Sequence, residues 1–312
     1  MGASRVGIVG CGRMGTTRAQ ACQALGVDVA LLVDANVEAA EALAAKHPGS
    51  RIATQAAPPL LGGLDAIFIC TPPGSRQQAT DAAIAARLPM FFEKPVGITA
   101  QSVMGAAEAI ESASIRNAVG FHNRYRASVQ SARTALAADP PFAVAGHWIG
   151  PAYSKPWWLD PSESGGPIND QAIHLVDLCR YLVGEIAEVG AHQRHSAPRS
   201  APDSVAITLR FRADACGVLI YSHLAQTKSI SFEAFNASGS VHLEGWDLRC
   251  SRSPAAVEDD VFVTETAAFL GLSGEILCTF GDALQTQVVV DLIRESARRQ
   301  PSTIRHRAPG RA

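Results

Sequence analysis

Asp170, His174 and Asp177 combine two carboxylates and an imidazole at helical spacing, a set that can hold and move a proton. Pro167 suits the first turn of a helix, and Gly184 suits its left-handed end. Because Asp170 and His174 are four residues apart, both side chains leave the same face, where the acid can orient the ring. A helix-dipole acid beside a core histidine fits equally well, so this helix alone leaves both interpretations open.

A glycine-rich loop follows the first predicted strand of the chain. This apolar strand, residues 5–10, enters Gly10-Cys11-Gly12-Arg13-Met14-Gly15, and a helix, a second strand and Asp34 come next. In such a loop the first glycine makes a tight turn, the second admits a pyrophosphate, and the third lets the helix pack closely. The helix N-terminus then offers N–H groups to phosphate oxygens. The whole unit predicts a dinucleotide site that includes Arg13 and Met14.

Asp34 bears on which dinucleotide binds. We expect its carboxylate to accept hydrogen bonds from the adenosine ribose and to repel a 2′-phosphate. Ala35 and Asn36 supply no cation against this repulsion, whereas Arg13 is close enough in sequence to leave NADP open. The sequence therefore favours NAD as the cofactor.

Lys94 follows a predicted parallel strand, the place where α/β sheets bind ligands. The strands at residues 66–70 and 90–92 lead into Thr71-Pro72-Pro73 and Glu93-Lys94-Pro95. Because ligands bind at the carboxyl ends of such strands, a lysine there can bring positive charge to a substrate oxygen. An ordinary surface pair of Glu93 and Lys94 is the alternative.

The two halves of the chain differ in how their strands follow one another. Strands and helices alternate up to residue 121, which predicts a doubly wound parallel sheet of the α/β class. Farther on, four strands follow without intervening helices, which predicts an antiparallel sheet; they are residues 205–211, 217–224, 229–235 and 240–243. We therefore predict two domains, residues 1–121 and 122–312. An apolar face of the second sheet would be covered in a homodimer or homotetramer.

The composition argues against several functional classes. The formal net charge is -2 and no basic run is present, so we expect no nucleic-acid partner. No apolar run approaches the ~18 residues of a membrane span, and the N-terminus leads into a strand rather than a secretion signal. The seven cysteines are scattered and include no C-x-x-C pair, which predicts reduced thiols in the cytoplasm and no metal site.

Five motifs resemble, in order and spacing, those of the Gfo/Idh/MocA oxidoreductases. They are Gly10/Gly12/Gly15, Thr71-Pro72-Pro73, Glu93-Lys94-Pro95, Gly120-Phe121 with Arg124-Tyr125, and Gly165-Gly166 with Asp170, His174 and Asp177. The resemblance covers essentially the whole chain, and its most specific parts are the Glu-Lys-Pro triplet and the Asp-x-x-x-His-x-x-Asp helix. It implies an N-terminal Rossmann domain and a C-terminal α/β domain with a large open, mostly antiparallel sheet. It also implies NAD(P)-dependent hydride transfer on sugars, cyclitols or related polyols.

The resemblance also implies roles for individual residues. The family's catalytic lysine, aspartate and histidine correspond to Lys94, Asp170 and His174, which would also contact substrate. Cofactor contacts would come from the glycine loop together with Asp34, Thr71, Pro72, Glu93 and Lys94. We add Arg124, Tyr153 and Trp157 as substrate contacts, with core or interface packing as the alternative for the two aromatic residues.

Two positions depart from the family pattern. Arg76 stands where many members carry a histidine, and we expect it to alter the wall near the nicotinamide. Ala172 replaces a frequent glycine two residues before His174.

The hypothesis that joins these observations is reversible oxidation of a secondary alcohol on a sugar-like, aminosugar-like or cyclitol-like substrate. His174 would take the hydroxyl proton, Lys94 would stabilise the oxyanion, and Asp170 would orient His174 and bind a substrate hydroxyl. A related dehydrogenase for a non-sugar alcohol, such as an aromatic dihydrodiol, or for an imine is one alternative. A dinucleotide-binding sensor without catalysis is another.

Overall fold

A computed structural model describes residues 4–196, 201–250 and 260–299, and its first half is built on a parallel sheet. The strands are β1 (Arg5–Val9), β2 (Asp28–Val33), β3 (Arg51–Ala53), β4 (Ala66–Ile69), β5 (Met90–Phe92) and β6 (Asn117–Val119). Their order, β3-β2-β1-β4-β5-β6, confirms the predicted doubly wound sheet. The order reverses between β1 and β4, so the ends of these strands open a crevice for a ligand.

Helices cover both faces of this sheet. They are α1 (Arg13–Ala24), α2 (Val37–Ala44), α3 (Pro58–Leu61), α4 (Gln77–Ala85) and α5 (Met104–Ser112). Successive strand residues alternate between two apolar clusters: Phe91 packs in the cluster that contains α1, and Phe92 packs in the cluster that contains α4. Because both faces are buried, these strands are apolar throughout. The short β3 and α3 have no counterpart among the elements predicted from the sequence.

The second half forms a sheet of seven strands. They are β7 (Ala143–Pro151), β8 (Ile186–Arg194), β9 (Ser204–Phe211), β10 (Cys216–Ser222), β11 (Leu224–Asn236), β12 (Gly239–Glu244) and β13 (Arg249–Cys250). The order is β13-β12-β11-β7-β10-β9-β8, and the one parallel pairing among these described strands joins β10 to β7. The prediction of a mostly antiparallel sheet is therefore confirmed.

The helices of the second half bring distant parts of the chain together. They are α6 (Ala127–Ala138), α7 (Pro156–Leu159), α8 (Pro161–Ser164), α9 (Ile173–Leu182), α10 (Val261–Leu270) and α11 (Phe280–Arg298). A π-helical turn, Ile168–Ala172, precedes α9. Helix α10 packs on α1, and α11 contacts β6 and α5. Two helices from late in the chain therefore pack against the first sheet and its helices. The division at residue 121 consequently stays a prediction.

In the part of the chain that the structure describes, no helix has both the length and the apolar character to cross a membrane. Across the same ranges, no group of three or more histidine, cysteine, aspartate or glutamate side chains converges as a metal site would require. All seven cysteines are free thiols.

Candidate active site

The glycine loop between β1 and α1 forms an open backbone cradle. Gly10 has a φ of +91°, and a Cβ there would lie 2.7 Å from the Thr71 amide nitrogen. A Cβ on Gly15 would lie 1.9 Å from the Gly10 carbonyl oxygen, so only glycine permits this packing of α1. A Cβ on Gly12, in contrast, would meet no described atom within 4 Å. Two glycines are thus required by packing and the third leaves room, as a bound pyrophosphate needs.

Asp34 lies at the rim of this loop, where the sequence predicted a ribose contact. Its Oδ2 accepts a hydrogen bond from the Cys11 amide at 2.7 Å, and its Oδ1 accepts one from the Asn36 amide at 2.9 Å. A carboxylate has about four acceptor positions, so capacity remains for ribose hydroxyls. Arg13 is exposed at the start of α1, and Met14 is partly exposed beside it. These residues fit a dinucleotide.

Lys94 joins the first sheet to the segment that precedes α9. Its Nζ donates to Asp170 Oδ1 at 2.8 Å and to the Asp170 carbonyl oxygen at 2.7 Å. The pair is partly open, with 15% of the lysine side chain exposed and 8% of the aspartate side chain exposed. Because an ammonium has three donors, one remains uncommitted among the described residues. The two residues that the family pattern links are in direct contact here.

Asp170 has a second donor that the sequence did not indicate. The indole Nε1 of Trp158 donates to Asp170 Oδ2 at 2.9 Å, and Trp158 is fully buried. Both carboxylate oxygens are therefore engaged, and within the described residues neither bonds to His174. The prediction that Asp170 orients His174 therefore has no hydrogen bond within the described structure to support it, and the contact of Asp170 with a substrate hydroxyl stays a prediction. The π-helical turn separates the two residues in a way that regular helical spacing does not anticipate.

The turn before α9 is held against the loop that follows Lys94. Asn169 Nδ2 donates to the Gly97 carbonyl at 3.0 Å and to the Ser164 carbonyl at 2.8 Å. Its Oδ1 accepts from Gln287 Nε2 of α11 at 2.6 Å. Gly165, at φ +75°, is needed because a Cβ would lie 2.4 Å from Asn169 Nδ2. These buried contacts fix the Lys94 loop relative to the Asp170 turn.

His174 lies in an aromatic environment one turn beyond Asp170. Its ring stacks on Trp148 at a centroid distance of 5.0 Å and an angle of 13°, and the His122 ring is 5.5 Å away. Its Nδ1 is buried without a hydrogen-bond partner in the described structure. Burial, reinforced by the charge of Lys94, lowers the pKa of His174 well below its ordinary value. The imidazole is therefore neutral at neutral pH, which is the form that accepts a proton.

Arg124 and Asp177 form a second ion pair, separate from the first. Arg124 donates to both oxygens of Asp177, at 3.0 Å from Nε and 2.6 Å from Nη2, and its Nη1 bonds to Asp282. Both partners of the pair are buried, and burial raises the pKa of Asp177 in spite of the arginine. This engagement gives Arg124 a structural role, and we do not carry it into the proposed substrate site.

Glu93 precedes Lys94 but faces a different cluster. Arg18 of α1 donates from Nε to Glu93 Oε1 at 2.8 Å and from Nη2 to Glu265 Oε2 of α10 at 2.6 Å. All three side chains are buried, and burial raises the pKa of Glu265 to about 7. The carboxylate of Glu93 thus ties the strand end to α1. A cofactor contact from Glu93, like those from Thr71 and Pro72, stays a prediction.

The aromatic segment before the helix divides into two parts. Trp158 points inward to Asp170, and Tyr153 packs against it with a centroid distance of 5.1 Å while remaining partly exposed. Trp157 is partly exposed, and no hydrogen bond from it occurs within the described residues. Substrate contacts from Tyr153 and Trp157 stay predictions.

Two site neighbours, His122 and Trp148, were given no role from sequence, and Trp158 was considered only as one of several aromatic residues that could line a pocket. His122 follows β6 at the sheet edge where Lys94 follows β5, so the reasoning that found Lys94 would have found it too. Trp148 is an inward residue of a half-buried strand and gave no distinguishing signal. Trp158 was indistinguishable from Trp157 because an irregular segment has no periodicity.

Relatives of this chain include inositol 2-dehydrogenases and an uncharacterized oxidoreductase. An inositol 2-dehydrogenase of Cereibacter sphaeroides is 31% identical over 189 residues, which are 58% of this chain and 54% of that protein. The chain thus spans about half the length of this relative. The uncharacterized oxidoreductase YrbE of Bacillus subtilis is 27% identical over 78% of this chain and 79% of its own.

Solved structures share the fold at lower identity. A levoglucosan dehydrogenase in complex with NADH superposes with a TM-score of 0.83 at 21% identity, covering 94% of this chain and 96% of its own. The WlbA dehydrogenase of Bordetella pertussis, solved with NADH and UDP-GlcNAcA, gives 0.82 at 24% identity, covering 95% and 96%. At these identities the likeness establishes the fold alone.

Two family models match consecutive parts of the chain. The oxidoreductase family model with an NAD-binding Rossmann fold matches residues 4–121. The GFO/IDH/MocA C-terminal domain model matches residues 120–242. Together with the glycine cradle and the Lys94–Asp170 contact, these matches mean that the chain belongs to the Gfo/Idh/MocA family of NAD-binding oxidoreductases.

Proposed function

We propose that this protein is an NAD-dependent dehydrogenase acting on a secondary alcohol, or the matching ketone, of a sugar-like, aminosugar-like or cyclitol-like substrate. The observation that carries the proposal is the Lys94–Asp170 contact of 2.8 Å, which lies beside the carboxyl ends of the Rossmann strands. His174 lies one turn farther along with a neutral imidazole. A cation, a carboxylate and a base thus converge at the sheet edge where a dinucleotide binds.

The chemistry assigns a separate task to each residue. In the oxidation direction His174 accepts the hydroxyl proton, while Lys94 donates a hydrogen bond to the oxygen as its charge develops. Asp170 holds the ammonium in place and receives a hydrogen bond from Trp158 on its other oxygen. When bound, the nicotinamide supplies the acceptor for the hydride that leaves the carbon bearing the hydroxyl group.

A panel of cyclitols, free sugars, aminosugars and sugar nucleotides tests the proposal. Each compound is offered with NAD, and the absorbance of the reduced nicotinamide reports turnover. We expect saturable turnover with at least one class of polyol. Tight cofactor binding without turnover on the whole panel would instead favour the sensor, although such a protein would have no use for Lys94, Asp170 and His174.

A non-sugar alcohol or an imine is the second candidate, because the surroundings of His174 would suit it as well. The rings of Trp148 and His122 flank His174, so the wall beside this base is aromatic. Aromatic faces also stack on the apolar faces of sugar rings, so the wall fits both substrate classes. The panel therefore includes aromatic dihydrodiols and cyclic imines, and a higher kcat/KM on these would replace the first proposal.

The preference for NAD follows from Asp34. Its carboxylate faces the loop and would repel the 2′-phosphate of NADP, whereas the exposed Arg13 is the cation that could offset this repulsion. We expect kcat/KM to be higher with NAD than with NADP. A ratio in favour of NADP would overturn this preference.

We also propose that a second copy of the chain covers the outer face of the second sheet. On β10 the outward side chains Val218 and Ile220 are 52% and 49% exposed, and Leu224 at the start of β11 is also exposed. Apolar side chains grouped on one sheet face are typical of an interface between subunits. Light scattering after gel filtration should give a dimer or tetramer, and Ile220→Lys should shift it towards the monomer.

A further inference from the structure

Arg76 fastens three main-chain carbonyls at the edge of the first sheet. Its Nη1 donates to the carbonyl oxygens of Glu93 and Pro95, each at 2.6 Å, and its Nη2 donates to the carbonyl oxygen of Thr71 at 2.6 Å. Thr71 follows β4, while Glu93 and Pro95 are the two neighbours of Lys94. One guanidinium therefore links the ends of two adjacent strands and holds both sides of the lysine.

The charge of Arg76 is used differently from that of the other buried arginines. Arg18 and Arg124 each form ion pairs with carboxylates, whereas Arg76 forms no ion pair with any described residue. It is only 4% exposed, and burial lowers its pKa to about 10. Carbonyl groups therefore carry its hydrogen bonding, and charge-assisted bonds of this kind are about twice as strong as neutral ones.

A cavity beside Arg76 leaves room for the loop that contains Lys94, residues 93–98, to move if this contact is lost. A cavity of about 110 Å³ is lined by Arg76 together with Thr80, Ser102, Phe92 and Val96. The Nε of Arg76 is buried and has no partner in the described structure. Close packing is therefore incomplete on this side of the loop, and removal of the guanidinium would leave room for the loop to shift towards the cavity.

We propose that Arg76 is a positioning residue that sets the place of Lys94, an inference that rests on the proposed function. It acts through the carbonyls of Glu93 and Pro95 and does not touch the reacting atoms. Lys94 must hold its ammonium against Asp170 and the substrate oxygen together. A displacement of about 1 Å at such a site can cost on the order of 10² in rate.

Arg76→Ala combined with chemical rescue tests the inference. We expect kcat to fall roughly 10- to 10²-fold while the affinity for NADH falls less, because the contacts within the glycine loop itself do not involve Arg76. Guanidinium at tens of millimolar should restore part of the lost kcat, since the cavity and the vacated space admit it. Urea has a similar shape but no charge and should restore much less.

Two variants serve as matched controls. Arg116 also donates from its guanidinium to two carbonyls, those of Phe269 and Ala268, but these belong to α10. Arg116→Ala should keep kcat and show no response to guanidinium. Arg76→Lys keeps the charge but cannot reproduce the planar fork, so its kcat should lie between those of Arg76→Ala and the wild type.

Unchanged kcat in Arg76→Ala would overturn the inference. A loss that guanidinium does not reverse, with an equal loss of folded protein, would also overturn it by showing a merely structural role.

Amide hydrogen exchange separates this inference from the proposed function, because it needs no substrate. Arg76→Ala should speed exchange in residues 93–98 relative to the wild type, and Arg116→Ala should not. Unchanged exchange there would overturn the inference even in an active dehydrogenase. Failure of the wild type on every substrate would overturn the proposed function. The exchange result would still show whether Arg76 holds residues 93–98 in place.

Discussion

Two ion pairs of the same general design follow neighbouring strands and differ in burial and in hydrogen-bond saturation. Lys94 and Arg124 follow the neighbouring strands β5 and β6, and each reaches a carboxylate close to or on α9, Asp170 or Asp177. The Lys94 side chain is 15% exposed and keeps one uncommitted donor among the described residues. The Arg124 side chain is 4% exposed and binds both oxygens of its partner.

The comparison shows what separates a chemical pair from a structural one. A buried, bidentate pair has no capacity for a new partner, and each charge depends on the other for its burial. A partly open pair with a free donor can bind a substrate oxygen. The two cations carry the same charge and both follow strands of the first sheet. Their roles therefore differ because of their burial and because of how many of their hydrogen-bond donors are already used.

Lys94→Met should have the largest effect on activity and a small effect on stability. We expect turnover to fall by about 10²- to 10⁴-fold, because the oxyanion loses its hydrogen-bond donor and cation. The affinity for NADH, followed by its fluorescence, should stay close to that of the wild type. Lys46→Met, at an exposed lysine beyond α2, is the control for loss of one charge. Full turnover in Lys94→Met would remove the distinction between the two pairs.

Arg124→Met should give the opposite result. Asp177 would stay buried without its cation, so we expect the free energy of unfolding to fall by about 3–5 kcal/mol. Turnover per folded molecule should stay within a few-fold of the wild type. Urea unfolding measures the first quantity, and an assay corrected for the folded fraction measures the second. A large loss of turnover in fully folded protein would return Arg124 to the substrate site.

Trp158→Phe sharpens the comparison by removing one donor from Asp170. An aromatic ring is kept, although phenyl is smaller than indole, and the carboxylate loses the indole N–H, so we expect turnover to fall about tenfold. Trp157→Phe is compared at saturating substrate, because its N–H has no partner within the described residues and its predicted substrate contact would appear in KM. Steady-state rates of both variants on one substrate make the test. Equal losses in the two would mean that Trp158 acts by packing alone.

The smallest expected effect is the pH dependence of stability that the two buried histidines, His174 and His122, produce. Burial lowers the pKa of both His174 and His122 below the unfolded value of about 6.5. The unfolded chain then binds more protons, so stability falls as the pH drops below about 6.5. His122→Asn should flatten this decline by up to about 1.4 kcal/mol per pH unit. An unchanged slope in urea titrations at pH 5 to 7 would contradict burial of a neutral His122.

Local patterns predicted the first sheet and half of the site. The glycine loop, Asp34 and Lys94 stand where strands end, and the alternation of strands and helices fixes which ends are neighbours. The three-residue β3 is too short for a periodic signal. Helix α10 was overlooked as well, and Glu265 meets Arg18 across 247 positions of sequence.

The rest of the site depends on geometry that spacing does not contain. Regular helical spacing predicts Asp170 beside His174. The π-helical turn at Ile168–Ala172 changes this register, and Asp170 accepts hydrogen bonds from Lys94 and Trp158 instead. The role of Arg76 as a link between carbonyls could not be predicted either, because every residue has a main-chain carbonyl and the sequence does not indicate which ones Arg76 contacts.

A double-mutant cycle of Lys94→Met and His174→Asn on turnover tests the central claim most directly. If the two residues serve one proton transfer beside the nicotinamide, each single variant should lose about 10²- to 10⁴-fold. The double variant should then be little worse than the poorer single variant, because groups that act as a unit are not additive. Wild-type turnover in both single variants would contradict the claim.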